Sequence, residues 1–362
     1  MLRRILLTTD TVGGVWRYSM ELARGIAARG AHVVLAVLGP PPNPAQCREA
    51  TSIAGVRLVV TGLPLDWLAD SPAQIEAAAQ ALASLVEQVV ADTVQLHAPA
   101  LVGDIIWSVP VIAVAHSCIG TWWRSVRGGT LPPDLAWRAE ATAHGLVRAD
   151  RVIAPSDAFA TELRDCYGTA RPIDVVWNGR TPVNSEKQRL AQVLTVGRLW
   201  DEGKNIAALD AAAAQLDCPV LAAGPSIGLN GARATCRNVR MLGPLGEAAL
   251  ADEYARAAVF VSLSTYEPFG LAVLEAAQAG CALVLSDIST FRELWDGAAV
   301  LVSNRQPDRI AAAVESILRD PALRARQSDA ARRRAAVYCP QRMADVTWDI
   351  HTSSTRRTAT AA

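Results

Sequence analysis

Two glutamates in the stretch STYEPFGLAVLEAAQAG, Ser264 to Gly280, have a spacing that could do chemistry. Glu267 stands in a loop beside Pro268 and Gly270; Glu275 follows, with seven residues between, inside an Ala- and Leu-rich segment that reads as helix. A helix starting near Gly270 leaves its first backbone amides without intrahelical partners and carries the positive end of its dipole there, a place suited to a phosphate. Glu275 then lies about one and a half turns in, and helical side chains lean toward the N-terminus, so its carboxylate can reach the same end. A carboxylate there can accept hydrogen bonds from two vicinal hydroxyls of a ribose. Glu267 lies where a sugar would sit beyond the phosphates. The plainer alternative has Glu267 complementing the helix dipole and Glu275 solvated; Leu271, Val273, Leu274 and Ala276 look buried and weigh against it.

Three further groups have suitable residue types. In VGRLWDEGKN, Arg198 ends a strand and Lys204 follows six residues on, before a helix. Two permanent cations at a strand's carboxyl end suit a diphosphate, Arg gripping oxygens bidentately and Lys acting as a point charge. Solvated surface cations are the alternative. In TDTVGGVWRYS, Gly13 and Gly14 lie between a strand and a helix, where glycines let backbone amides approach an anion; a tight turn would look the same. Neither a GxGxxG dinucleotide fingerprint nor a GxxxxGKS/T phosphate loop occurs in the chain. In VAHS, His116 follows the apolar run VPVIAVA and so stands at a strand end; it reads either as a cleft residue or as a packing histidine.

The elements that must position these residues alternate along the chain. Short β-branched runs (RILLTT, HVVLAVL, VRLVVT, TVQLHAP, VPVIAVAHS, DRVIAPS) alternate with helical segments such as VWRYSMELARGIAARG, with Trp16, Met20, Ala23 and Ala27 on one face. Gly30 is expected at its C′ position, and Ser71 with Pro72 is expected to open a helix over SPAQIEAAAQALASLVEQVVAD. A second series begins near Gln192, with AQVLTVGRL, CPVLAAGP, VRMLGPL, AAVFVSLS and ALVLSD as strands. The turn-rich stretch VVWNGRTPVNSEKQR separates the two series. The pattern predicts an α/β chain of two doubly wound parallel sheets, each buried on both faces. Ligands of such sheets bind outside the carboxyl ends of the strands, where the candidate residues fall.

Length and composition agree. A chain of 362 residues exceeds what one core usually supports, about 250–300 residues, so two domains are expected. Lys plus Arg and Asp plus Glu both number 35, which argues against a dominant nucleic-acid partner. The seven cysteines (Cys47, Cys118, Cys166, Cys218, Cys236, Cys281, Cys339) show no CxxC spacing and read as reduced thiols; paired zinc ligands are lacking. MLRRILLTTD reads as a buried first strand in preference to a signal peptide, and no apolar run reaches the ~18 residues needed to cross a bilayer.

Taken in order, Gly13–Gly14, His116, WNG at Trp177–Gly179, VGRL…KN at Arg198 and Lys204, and YEPFGLAVLEA resemble the retaining GT-B glycosyltransferases, specifically glycosyltransferase family 4 with its E-x7-E motif. The resemblance covers nearly the whole chain. It implies two Rossmann-like domains facing across a cleft: an acceptor-binding domain over 1–177, a linker over 178–189 and a nucleotide-sugar donor domain over 190–338. A helix over 339–351 would cross back to the first domain, ahead of a flexible tail over 352–362. It implies that Arg198 and Lys204 hold the diphosphate, Glu275 the ribose and Glu267 the donor sugar. Phe269, Gly270 and Leu271 would line the donor, and the turn at Gly243 and Leu245 would meet the base. Gly13 and Gly14 would approach the phosphates or acceptor, and His116 would act beside the sugar on the acceptor side.

The implied activity is metal-independent hexosyl transfer with retention from a nucleotide-diphosphate sugar to a glycan, lipid-linked or small-molecule acceptor, as in polysaccharide biosynthesis. No cofactor, metal or nucleic-acid partner is expected, and the location implied is cytoplasmic, with possible contact at the inner face of the membrane. A sugar-nucleotide epimerase, a phosphorylase or a non-catalytic nucleotide-sugar-binding subunit are the competing readings on this fold. Two places depart from the family pattern. NGR stands where many members have aspartate after the glycine, and Trp200 and Asp201 stand where basic residues are frequent. Trp122 and Trp123 beside Arg124 and Arg127 suit a sugar-stacking or membrane-interface surface, or a partly buried loop.

Overall fold

The computed structural model describes residues 3–354. The chain divides into two compact units, one running to Gly179 and resuming at Pro340, the other comprising Arg180–Cys339.

In the first unit seven strands form one parallel sheet: β1 (Arg4–Asp10), β2 (His32–Leu38), β3 (Val56–Val60), β4 (Thr93–Leu96), β5 (Val111–Val114), β6 (Arg151–Ala154) and β7 (Asp174–Val175), in the order β3-β2-β1-β4-β5-β6-β7. β1 pairs with β2 over its full length, Arg4 opposite His32 through Asp10 opposite Leu38. Ile5, Leu6 and Leu7 are completely buried, as a strand covered on both faces requires. The core on one side joins Ile5, Leu7, Met20, Leu22 and Ile26 to Met343, Ala344 and Ile350 of the last helix, Pro340–Ser353. That helix lies against helix Gly14–Ala27 so closely that a Cβ on Gly25 would stand 2.3 Å from the Ala344 Cβ. It runs two residues past the 351 expected from sequence, and residues 355–362 of the expected tail lie outside the described residues.

The second unit repeats the plan with six parallel strands: β8 (Leu190–Val196), β9 (Val220–Ala223), β10 (Arg240–Gly243), β11 (Ala257–Ser262), β12 (Ala282–Ser286) and β13 (Val300–Val302), in the order β10-β9-β8-β11-β12-β13. Val193, Val259, Val261 and Val284 of the sheet pack with Ile310, Val314 and Ile317 of helix Pro307–Arg319. The strand order reverses between β1 and β4 in one unit and between β8 and β11 in the other, which opens a crevice at the carboxyl ends there.

One local expectation needs correction. Helix Gly14–Ala27 has its C-cap at Ala28, so Gly30, with φ +85°, occupies C″ and not C′. Ser71 is the N-cap of helix Pro72–Gln88 as expected, without a side-chain capping hydrogen bond, and Pro72, which has no N–H to satisfy, opens the helix. The turn-rich stretch from Arg180 onward is anchored to the second unit: the Ser185 hydroxyl donates to Asp252 at 2.6 Å and Arg189 to the Ala279 carbonyl at 2.6 Å. All seven cysteines are free thiols, with Cys118 and Cys281 buried.

Candidate active site

At the β8/β11 switch point the structure joins two loops from opposite sides of the strand-order reversal. Arg198 follows β8 and donates to the Asp201 carboxylate at 3.2 Å, with its guanidinium 5.6 Å from the Trp200 ring centre. Asp201, 8% exposed, also accepts the Gly203 N–H at 2.9 Å and so caps the 3-10 turn Glu202–Lys204. Asn205 takes a left-handed backbone (φ +51°) and its side-chain amide donates to the carbonyls of Leu263 (3.2 Å) and Asn304 (3.3 Å). The Thr265 N–H reaches the Gly203 carbonyl at 2.9 Å. These bonds bring the Lys204 ammonium into a direct ion pair with the Glu267 carboxylate, both side chains mostly shielded from water.

The neighbouring strand end makes room for this junction. Gly224 has φ +133°, and a Cβ there would stand 1.9 Å from the Gly197 carbonyl oxygen. Gly243, at the end of β10 with φ +71°, accepts the Gly224 N–H at 2.9 Å, and half-buried Leu245 follows before helix Glu247–Arg256.

Helix Leu271–Gln278 begins at Gly270, whose φ of +93° turns the chain and whose carbonyl accepts from Val273 and Leu274. Leu271 is half-buried. Phe269 is 3% exposed and packs edge-on to Tyr338, centroids 5.6 Å apart, so its side chain serves the core and only its backbone is available to a ligand. Glu275 is held on both oxygens: Arg180 Nε donates to Oε1 at 3.0 Å and the Tyr254 hydroxyl to Oε2 at 3.1 Å. Burial, and then the Glu275 charge, raises the Tyr254 phenol well above its ordinary pKa, so it remains a donor.

The other candidates belong to the first unit. Gly13, φ +98°, is the N-cap of helix Gly14–Ala27; both glycines are exposed, and the preceding turn is closed by the Val12 N–H on Asp10 Oδ1 at 2.7 Å. His116 lies just beyond β5, half-buried, its ring edge-on to Tyr18 (4.6 Å) and to His97 (5.1 Å). Its Nε2 is sealed from solvent and makes no protein hydrogen bond. Burial pushes its pKa down to about 4, so the imidazole is neutral near pH 7. Behind it, Gln95 Nε2 donates to His97 Nε2 at 2.8 Å, Gln95 Oε1 meets His351 Nε2 at 3.0 Å, and Thr93 meets His351 Nδ1 at 2.8 Å. Trp122 and Trp123 share helix Ile119–Val126, half-buried and tilted, centroids 6.3 Å apart; Arg124 and Arg127 are exposed.

So the structure brings Arg198, Lys204, Glu267 and Glu275 to one end of the second sheet and sets Gly13, Gly14 and His116 at the carboxyl end of the first. Sequence reading passed over Arg180 as an active group, as well as Asn205, Tyr254 and Gly224. Asp201, marked only as a departure, holds Arg198 and caps the turn that carries Lys204.

Two GT-B-type sheets with such residues at their switch points define a class, and the comparisons agree with it. Residues 12–182 match Glycosyltransferase Family 4 and residues 182–334 match Glycosyl transferases group 1. The chain belongs to the GT-B glycosyltransferases of the family 4 type. It is 30% identical over 260 residues to a glycogen synthase of Mycobacterium tuberculosis, a match covering 65% of this chain and 61% of that protein. It is 30% identical over 287 residues to a D-inositol 3-phosphate glycosyltransferase of Nocardiopsis dassonvillei, covering 69% and 66%. The chain thus spans less than two thirds of the length of these relatives. Among solved structures, a sucrose-phosphate synthase from Thermosynechococcus elongatus superposes with TM-score 0.78 at 20% identity, covering 97% of this chain and 98% of that one. Anabaena HepE, solved in complex with UDP-glucose, does so with TM-score 0.74 at 17% identity, covering 97% and 99%. Among the described residues no helix is long and apolar enough to cross a membrane, and no group of three or more His, Cys, Asp and Glu is placed to hold a metal ion.

Proposed function

We propose that the protein transfers a hexose from a nucleotide-diphosphate sugar to an acceptor hydroxyl, with retention of anomeric configuration and with its own cations doing the work of a metal. The observation that carries the reading is the welded pair of loops at the β8/β11 switch point, which sets Lys204 against Glu267 with Arg198 beside them.

When the bond from the anomeric carbon to the diphosphate breaks, negative charge grows on the phosphate and positive charge on the sugar. Arg198, Lys204 and the amides at the start of helix Leu271–Gln278 face the first; the Glu267 carboxylate faces the second. Fixed donors of this kind contribute on the order of 3 kcal/mol each to transition-state stabilisation. An ammonium has three N–H donors, so Lys204 can hold a phosphate oxygen while still paired with Glu267. Attack from the face the diphosphate leaves puts the acceptor hydroxyl beside the departing oxygen, which takes the hydroxyl's proton as the new glycosidic bond forms. In this reading the protein works in the cytoplasm, and the Trp122–Arg127 stretch receives a carbohydrate or lipid-linked acceptor.

A thermal-shift panel of ADP, GDP and UDP tests the donor half, since a bound nucleotide raises Tm by mass action. Sugar nucleotides of the stabilising base, with UDP-glucose first because HepE was solved with it, are then incubated with glycan and D-inositol 3-phosphate acceptors. Glycoside formation with retained configuration is the expected product. Epimerised donor, phosphorolysis, or no nucleotide stabilisation at all would overturn the reading.

A further inference from the structure

Arg180 is the first residue of the second unit, and its side chain is only 5% exposed. Its Nε donates to Glu275 Oε1 at 3.0 Å, a terminal guanidinium nitrogen pairs with Glu247, and its own carbonyl accepts from Gln278 Nε2 at 2.7 Å. Side chain and backbone are therefore both tied to helix Leu271–Gln278, at positions one turn apart. Glu247 opens the helix that follows the Gly243–Gly246 turn. One buried cation thus joins the element assigned to the base with the element assigned to the ribose.

A guanidinium taken out of water needs a partner, but one carboxylate would suffice for charge balance. Here it serves two, and its planar fork fixes the direction of each bond in a way a Lys point charge does not. A carboxylate has about four lone-pair sites. Arg180 takes one on Oε1 of Glu275 and Tyr254 one on Oε2, so each oxygen keeps a site, and the plane of the group is set before a ligand arrives. A pair of adjacent hydroxyl donors matches the two sites that remain.

We infer that Arg180, together with Tyr254, is a positioning residue that holds the Glu275 carboxylate in the orientation that receives the vicinal ribose hydroxyls of the nucleotide. This deepens the proposed function and rests on its reading of Glu275. Arg180, which directly follows Asn178 and Gly179, is then part of the nucleoside site.

The test measures dissociation constants for ADP, GDP and UDP, for their 2′,3′-dideoxy counterparts and for inorganic pyrophosphate. The parent is compared with Glu275→Gln, Arg180→Lys, Arg180→Met and Tyr254→Phe. The parent's best nucleotide is expected to bind at least roughly tenfold tighter than its dideoxy form, the worth of charge-assisted hydrogen bonds, and Glu275→Gln to erase that preference. Both Arg180 variants should bring the preference to within about twofold while leaving pyrophosphate affinity unchanged, and Tyr254→Phe should lower it part way. Arg180 variants that keep the parent's preference overturn the inference while Glu275 stands. A parent without preference sinks the Glu275 reading and the inference with it. Loss of pyrophosphate binding in the Arg180 variants would mean general disruption and also overturns the positioning role. Should those variants not fold, Tyr254→Phe decides, and an unchanged preference there counts against the inference.

Discussion

At the scale of single residues the Lys204–Glu267 pair is the centre of the site. In the proposed reading one member serves the diphosphate and the other the sugar, and the pairing makes them interdependent. In that reading the phosphate shares the ammonium with Glu267, whose negative charge repels it, while the sugar needs the carboxylate. Glu267→Gln should therefore abolish transfer while nucleotide-diphosphate affinity stays equal or tightens. Lys204→Ala should weaken that affinity by about 1.5–3 kcal/mol, the worth of a charge-assisted hydrogen bond, and leave a carboxylate facing the diphosphate. Titration calorimetry reads both; weaker binding by Glu267→Gln, or parental binding by Lys204→Ala, contradicts the assignment.

At the scale of elements, the site depends on two strand-to-helix loops being bonded to each other as well as to their strands. Asn205 and Thr265 supply those bonds, and Gly224 lets β9 end against the chain at Gly197. An alanine at Gly224 faces a left-handed-side backbone and a Cβ 1.9 Å from a carbonyl oxygen, so the backbone must move. Gly224→Ala should lower Tm by at least about 2–4 °C, the effect of ~1 kcal/mol in a unit of this size, and weaken nucleotide binding as the Arg198–Lys204 loop shifts. Parental Tm in differential scanning calorimetry would show the approach is not tight.

At the scale of the whole molecule, one strand plan is used twice, and the chain's last helix completes the first unit's core. That helix also supplies His351 to a buried network with Thr93, Gln95 and His97, on which His116 rests. Burial holds His351 at about 3 and His116 at about 4, and burial with the neighbouring histidines holds His97 well below its ordinary value. An unfolded histidine takes its proton near pH 6.5. Between about 6.5 and those folded values the unfolded chain binds more protons, so stability rises with pH across that window and is lost as pH falls through it. Urea unfolding should show a lower midpoint at about pH 5 than at about pH 7.5, and His351→Gln should shrink the difference. An undiminished difference would place the acid sensitivity elsewhere.

Local signals carried much of this protein. Alternation of apolar runs with helical segments predicts parallel sheets because strands covered on both faces must be apolar throughout, and candidate residues at strand ends follow from the same pattern. Arg198, His116 and Glu267 do stand beyond strand ends, where that pattern puts them. Gly30 marks the limit of such signals, one residue beyond its expected C′ place, since a helix end depends on which backbone groups lack partners. What only tertiary structure decided are the pairings: Lys204 with Glu267, 63 residues apart, Arg180 with Glu275, 95 apart, and Gln95 with His351, 256 apart. No local pattern encodes these. They arise because strand order brings distant loops to one edge of a sheet, where a charge removed from water must find whatever opposite charge the fold has placed within reach.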